Sequence, residues 1–403
     1  MKRMLTLVAV LALVGTVAAA DWPEFRGAER DGKSAEKGLM QSWPEGGPKE
    51  VWNVGGLGTG YSSVAVVGGQ VYATGHVDGR FAVTKLDKDG KKLWQTPVDQ
   101  AKKNQYTNAR STATVDGNGV YVLSDNGTLA CLRASDGKEV WKVDILKTYG
   151  APNITWALAE SPLVYKKAVI VCPGGRAAMV ALDKTNGNEL WAAPAVDDKT
   201  AYASVRIISH GGVTQAVGFS AKHVFGVHAD SGKLLWKAPH ETSYDVNATS
   251  VVFDRGVLYA VSGYGTGGEA FKMNVSSSGV TVTSAWKNKD LDDQFGGVVL
   301  VGDTVIGTGH KKRGITAVKL GTGETVYTKP GVGQASLIYA DGRIYCQGHN
   351  GEMALVNPAD GSVVSKFKLE GISKQNWSHP AISDGKLYVR WNDRLAVYDI
   401  KAR

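Results

Sequence analysis

Glu160, Arg110 and Trp156 are the residues of this chain best equipped for chemistry. A carboxylate beside a substrate hydroxyl can serve as a general base, an indole face can stack a planar group, and a guanidinium can hold an anion. Tyr61, Arg206, Asn247, Gln334, Trp377 and His379 belong with them. Each of the nine stands at, or a few residues before, the start of a short apolar run, and Tyr202, Ser204, Gln294 and Phe295 occupy the same kind of position. Spread over some three hundred residues, they act together only if the fold carries these lead-in positions to one place. Arg110 and Glu160 then have two readings. They pair with each other in a hydrated channel, or they serve a ligand-binding mouth.

The local motifs have plainer explanations. Gly263 to Gly268 fits G-x-G-x-x-G, but a serine-rich turn (276–279) follows where a dinucleotide site needs a helix, so the glycines read as a β-turn. Asp87-Lys88-Asp89-Gly90 hints at a calcium loop, yet the twelfth position is Val98 rather than the required Glu. The eight histidines include no H-E-x-x-H and the chain has no G-x-S-x-G. Cys131, Cys172 and Cys346 are odd in number, widely spaced and set in apolar runs, as small buried thiols are. No catalytic residue and no metal ligand is assigned on this basis.

The elements that must position the candidates are given by a repeat. The segment Ala181 to Trp191 returns in altered form at 131–141 and 226–236, and in shorter form at 85–94. Each copy holds a turn pair (Asp89-Gly90, Asp136-Gly137, Asn186-Gly187, Ser231-Gly232) four residues before a Trp. Flanking runs rich in Val and Tyr read as strands, and no sustained helical period is present. The anchor aromatics Trp52, Trp94, Trp141, Trp191, Trp236, Trp286, Tyr327 and Phe367 recur every 40 to 50 residues. That is the length of one four-stranded propeller blade. The last unit lacks an outer strand, whereas residues 49–54 form an outer strand with no blade before them. The expected fold is therefore all-β, an eight-bladed β-propeller of four-stranded antiparallel blades closed by the N-terminal strand. Each anchor Trp, Trp191 included, is expected to be buried between blades with its indole N–H bonded. The lead-in residues of the inner strands then converge on an axial mouth.

The repeat resembles the PQQ-like repeat of the quinoprotein alcohol-dehydrogenase-like propellers, whose docking pattern is A-x-D-x-x-x-G-x-x-x-W. Ala181, Asp183, Gly187 and Trp191 match it, while Cys131 replaces the Ala in another blade and Tyr327 and Phe367 replace the Trp. The segments WPEFRG (22–27), GTGYSS (58–63), AESPLV (159–164), SGYGTGG (262–268) and GGVVLVGD (296–303) resemble those of exported PQQ-binding-like repeat proteins. The chain is also similar to the β-propeller lipoprotein of the outer-membrane assembly machinery, a non-catalytic scaffold, but has no Cys at the expected cleavage point to carry a lipid. The resemblance implies one of two functions. One is an exported scaffold without cofactor that binds a protein, peptide or envelope glycan through its axial mouth or blade edges, with Tyr61, Arg110, Trp156, Glu160, Arg206, Asn247, Gln334, Trp377 and His379 as ligand-binding residues. The other is a periplasmic oxidoreductase of alcohols or sugars using pyrroloquinoline quinone with calcium. The dehydrogenases of the superfamily often add an adjacent Cys–Cys pair, which this chain lacks.

Residues 1–20 read as a signal peptide, with Lys2 and Arg3, an apolar stretch from Leu5 to Val14, and Ala18-Ala19-Ala20 before the cut. An arm (21–48) and the propeller (49–403) follow. The expected product is a soluble monomer in the periplasm or outside the cell, with no membrane span or lipid anchor. The 403 residues are 43% hydrophobic and 21% charged and include 11 Trp, which excludes a disordered chain. The net charge is +8, and +6 once Lys2 and Arg3 are gone, with no long basic run, so nucleic acid is not an expected partner.

Overall fold

Glycine-containing turns and short β-branched runs alternate along the chain, and each set of four runs folds into one antiparallel sheet. The computed structural model describes residues 21–103, 106, 108–372 and 376–403; the expected signal peptide lies outside them. Eight blades span 64–100, 114–144, 163–194, 206–239, 252–288, 299–329, 335–368 and 381–399. In blade one, Val64–Val67 lies innermost, followed outward by Gln70–Val77, Arg80–Leu86 and Lys92–Gln100. Blade eight supplies three strands from the C-terminus and takes its outer strand from Lys49–Val54, which pairs antiparallel with Arg394–Asp399. The ring is thus closed as the repeat arithmetic predicts. The one α-helix among the described residues, Ile145–Tyr149, is capped by Asp144, whose side chain accepts from Lys147 N–H at 2.9 Å.

The core is a series of apolar wedges between neighbouring blades. Trp52, Trp94, Trp141 and Trp286 each donate an indole N–H to a carbonyl in the turn of the next blade (Lys88, Ala134, Lys184 and Leu320, at 2.9–3.2 Å). The turn glycine makes this possible. A Cβ on Gly187, whose φ is +76°, would lie 2.8 Å from the Trp141 ring. The anchors depart from expectation in two ways. Trp52, Trp94, Trp191 and Trp286 are half-buried rather than buried, although the turn glycine Gly232 stands against the Trp191 ring as Gly187 stands against Trp141. Trp236 turns its N–H back to Gln215 Oε1 of its own blade at 2.6 Å. Blade five has no docking turn there. Instead a long hairpin, Gly267–Ser276 and Gly279–Asn288, lays Met273, Val280 and Val282 over the Trp236 cluster.

The arm occupies the central channel. Trp22 exchanges two backbone hydrogen bonds of 2.8 Å with Val66 on the innermost strand of blade one, and Pro23 accepts from Val115 N–H of blade two. The chain then turns back, with Gly27 N–H on the Glu24 carbonyl and Gly32 N–H on that of Arg26, and Lys33–Ser34 pairs parallel with the inner strand Ala335–Ala340. Two buried guanidiniums staple this turn. Arg30 is ion-paired with Glu24 and donates to the carbonyls of Ser161, Pro162 and Val205. Arg26 donates to Val298 O at 2.6 Å and Leu337 O at 3.3 Å, and the absence of a side chain at Gly297 leaves room for its head. Beyond the channel the arm crosses blades seven and eight, with Leu39 bridged to Lys401 and Trp43 edge-on to Phe367, and so reaches the closing strand. The channel of the water-filled reading is filled by the protein itself.

Candidate functional site

The lead-in residues of the inner strands do converge. They surround a cavity of about 240 Å³ at the axial mouth, lined by Phe25, Tyr61, Tyr106, Arg110, Trp156, Ala159, Tyr202, Ser204, Val246, Ala248, Tyr264, Gln294, Phe295, Trp377 and His379. Phe25, from the arm, stands edge-on to His379 with ring centres 4.9 Å apart. Trp377 stands at the centre of an aromatic group, 4.5 Å from Tyr61, 4.9 Å from Phe295 and 5.7 Å from Tyr106, and Tyr106 is 5.3 Å from Trp156. Such rings offer large apolar area with polar tips. Arg110 is the one fixed charge of the described lining. Its guanidinium donates to the carbonyls of Trp156 and Tyr106, and burial pulls its pKa down.

Of the nine residues singled out from the sequence, Tyr61, Arg110, Trp156, Trp377 and His379 line the cavity. Gln334 stands behind it and donates to Gln294 Oε1 at 3.2 Å. The other three face away. Asn247 is wholly buried, its Nδ2 shared among the carbonyls of Ser220, Ala221 and His240 and its Oδ1 accepting from Ser262, so it fastens blade four to blade five. Arg206 donates to Val251 O along the channel wall. Glu160 is buried beneath the lining and accepts the backbone N–H of Cys172 at 2.8 Å. Arg110 and Glu160 form no ion pair with each other, because each is engaged by backbone groups of different loops.

Phe25, Tyr106 and Tyr264 escaped the sequence reading. Tyr264 sits in the Gly263–Gly268 segment, which is indeed a turn, and Gln294 Nε2 donates to its hydroxyl at 2.7 Å. Phe25 could have been found only by knowing that the arm enters the channel. Tyr202, Gln294 and Phe295 hold lead-in positions, a signal that spacing alone carried.

The electrostatics argue against acid–base work in the cavity. His379 bonds Phe295 O at 3.0 Å through Nε2 and lies 3.4 Å from Arg26 through Nδ1. Burial, with the Arg26 charge beside it, pulls its pKa down to about 3, so the ring is neutral. The described lining holds no carboxylate, and among the described residues no three His, Cys, Asp or Glu side chains gather where a metal could sit. Cys131, Cys172 and Cys346 are separate buried thiols.

Burial raises the Glu160 pKa from 4.5 to about 7. The folded chain therefore holds a proton that the unfolded chain releases between these values. This group's contribution to stability is complete below pH 4.5 and is lost as pH rises through 7. Glu160→Gln is expected to flatten that fall, a change of up to about 3 kcal/mol between pH 5 and 8, read by urea unfolding at several pH values. An unchanged pH slope would mean that Glu160 is solvated.

Residues 79–329 match the family model described as outer membrane protein assembly factor BamB. A comparison with curated proteins finds no match. Among solved structures, BamB from Moraxella catarrhalis is 15% identical with a TM-score of 0.65, the alignment covering 87% of this chain and 99% of that one. Quinohemoprotein alcohol dehydrogenase from Comamonas testosteroni is 12% identical with a TM-score of 0.70, covering 95% and 81%. The computationally designed Ika8 protein is 12% identical with a TM-score of 0.60, covering 87% and 100%. At these identities the structural likeness is one of fold. Among the described residues no helix is long and apolar enough to cross a membrane.

Proposed function

Because the chain belongs to the family described as outer membrane protein assembly factor BamB, we propose that it is an exported, non-catalytic scaffold whose axial pocket holds a peptide segment of a partner protein. The observation that carries this reading is the composition of the pocket. Among the described residues, eight aromatic side chains and one guanidinium meet there without a carboxylate, and the protein's own Phe25 contributes one of the rings. Tyr, Trp and Arg in a desolvated hollow are the side chains that dominate protein interfaces. A cavity of about 240 Å³ lies just under the range usual for small-molecule sites, enough for one or two side chains. Among the described residues the oxidoreductase reading has less support, since Glu160 lies beneath the lining and His379 is neutral with both ring nitrogens engaged.

The test is to screen the full mature protein against envelope peptides and glycans by calorimetry, then to repeat with Arg110→Ala, Trp156→Ala and Trp377→Ala. Each change is expected to weaken binding of a genuine peptide at least tenfold, about 1.4 kcal/mol. A partner that is bound equally by all three variants removes the pocket from the reading. A glycan captured in place of any peptide replaces the ligand class. Dye-linked alcohol oxidation on adding the quinone and calcium, abolished by Glu160→Gln, would overturn the proposal altogether.

A further inference from the structure

One ring stands at the rim of the axial pocket without lining it. Among the described residues, the exposed large apolar side chains Val51, Leu93, Val140, Val326 and Val364 lie on outer strands. Tyr244 lies at the mouth instead. It is 72% exposed, more than any of those five, and its ring stands edge-on to Tyr264 of the pocket wall with centres 5.3 Å apart. Two residues further on, Val246 lines the pocket itself.

The backbone beneath this ring is strained. Tyr244 and Asp245 are successive non-glycine residues with φ of +63° and +60°. That conformation crowds Cβ against the backbone, and for a side chain as bulky as tyrosine it is an outlier. The contact with Tyr264 offsets little of the strain, because most of the Tyr244 ring stays in water. The turn itself is closed by backbone hydrogen bonds of 3.2–3.4 Å, whereas its two ends are fixed by side chains. Thr242 Oγ1 donates to Gly263 O at 3.3 Å and accepts from Thr266 Oγ1 at 3.0 Å, and Asn247 Nδ2 is held by three carbonyls. Residues 243–245 thus carry one large ring over the rim between two rigid ends. Strain of this kind persists where a binding site uses it.

We propose that Tyr244 is a further binding residue of the axial pocket, the ring that covers the occupant, and that the occupant is an aromatic side chain of the bound peptide. This rests on the reading of the pocket as a peptide site. The pocket rings already pack tilted or edge-on to one another, and one more ring entering among them gains contacts of the same kind. On its outer side such a guest would remain in water. Tyr244, turning inward from Tyr264, covers that side and excludes solvent from the contact, as the residues surrounding a binding hot spot do. In the same movement its own ring leaves water, so the strained turn is compensated only when the pocket is filled.

The experiment uses the full mature protein and a capped pentapeptide with a central Trp between alanines, the all-Ala pentapeptide serving as control. The Trp peptide is expected to bind by calorimetry and the control is not. Tyr244→Gly should weaken binding about tenfold, while Tyr244→Phe stays within about twofold of the wild type. Glycine adopts a positive φ without strain, so Tyr244→Gly should melt no lower than the wild type, a combination that a structural tyrosine would not give. Unchanged affinity in Tyr244→Gly, with Trp377→Ala still weakening binding, overturns the role of Tyr244 and leaves the pocket reading standing. Unchanged affinity in Trp156→Ala and Trp377→Ala as well removes the pocket reading itself. Absence of binding, or equal binding of the two peptides, overturns the aromatic occupant. A glycine variant that melts lower makes Tyr244 a structural residue and overturns the proposal too.

Discussion

Replacing Arg30 with Met is expected to destabilise the propeller by about 3–5 kcal/mol, the usual cost of breaking a buried ion pair by removing one partner. Arg30 is 3% exposed and binds three carbonyls drawn from the lead-in to blade three and the residue preceding blade four, besides Glu24 within the arm. Its loss leaves the Ser161 and Val205 carbonyls and the Glu24 carboxylate without this donor inside the ring, while Pro162 O keeps the Thr114 hydroxyl. Burial already raises the Glu24 pKa, opposed by the Arg30 charge, so the variant pushes it higher still. A raised carboxyl favours the fold most below its unfolded value and loses that advantage as pH rises. The variant's deficit should therefore shrink on acidification towards pH 4.5. Adding Glu24→Gln should recover part of the loss at pH 7, because a neutral amide is cheaper to bury. Urea unfolding at two pH values checks both statements. A loss under about 1 kcal/mol would be that of an ordinary surface change and would mean that the arm is a passenger in the channel.

Trp141→Ala should cost a similar amount, about 3–5 kcal/mol. The ring is 8% exposed, covers Gly187 of the next blade, and donates to Lys184 O at 3.0 Å. Truncation opens a cavity between two blades and removes one of the two donors to Lys184 O, the Tyr121 hydroxyl remaining. Trp191→Ala is the internal comparison. Trp191 is half-buried, so its truncation should cost clearly less although the repeat places both at the same position. Equal losses from the two, by chemical denaturation, would show that exposure of the ring does not decide its contribution.

That comparison shows how far the repeat could be read from sequence. Asp136-Gly137 and Asn186-Gly187 demand tight turns, the Val- and Tyr-rich runs demand strands, and the recurrence of an aromatic every 40 to 50 residues demands one blade per unit. Closure followed because a last unit without an outer strand and a strand without a unit solve each other. These are local or periodic constraints, and they are written in residue order. They also placed Tyr61, Arg110, Trp156, Trp377 and His379 at the mouth, since a lead-in position has the same meaning in every blade. The direction of a side chain carries no such periodic signature. Glu160 and Asn247 hold the same kind of position as Trp156 and Trp377, yet both turn inward because backbone groups of neighbouring loops stand within hydrogen-bond reach. The arm was the least legible part. WPEFRG has no strand period, and its place in the channel depends on carbonyls contributed by residues as distant as Val298 and Leu337, which approach Arg26 only after the ring has closed. Composition and spacing determined the ring. Which side chains face the mouth, and that Phe25 is among them, was decided by long-range backbone partners that exist only in the folded state.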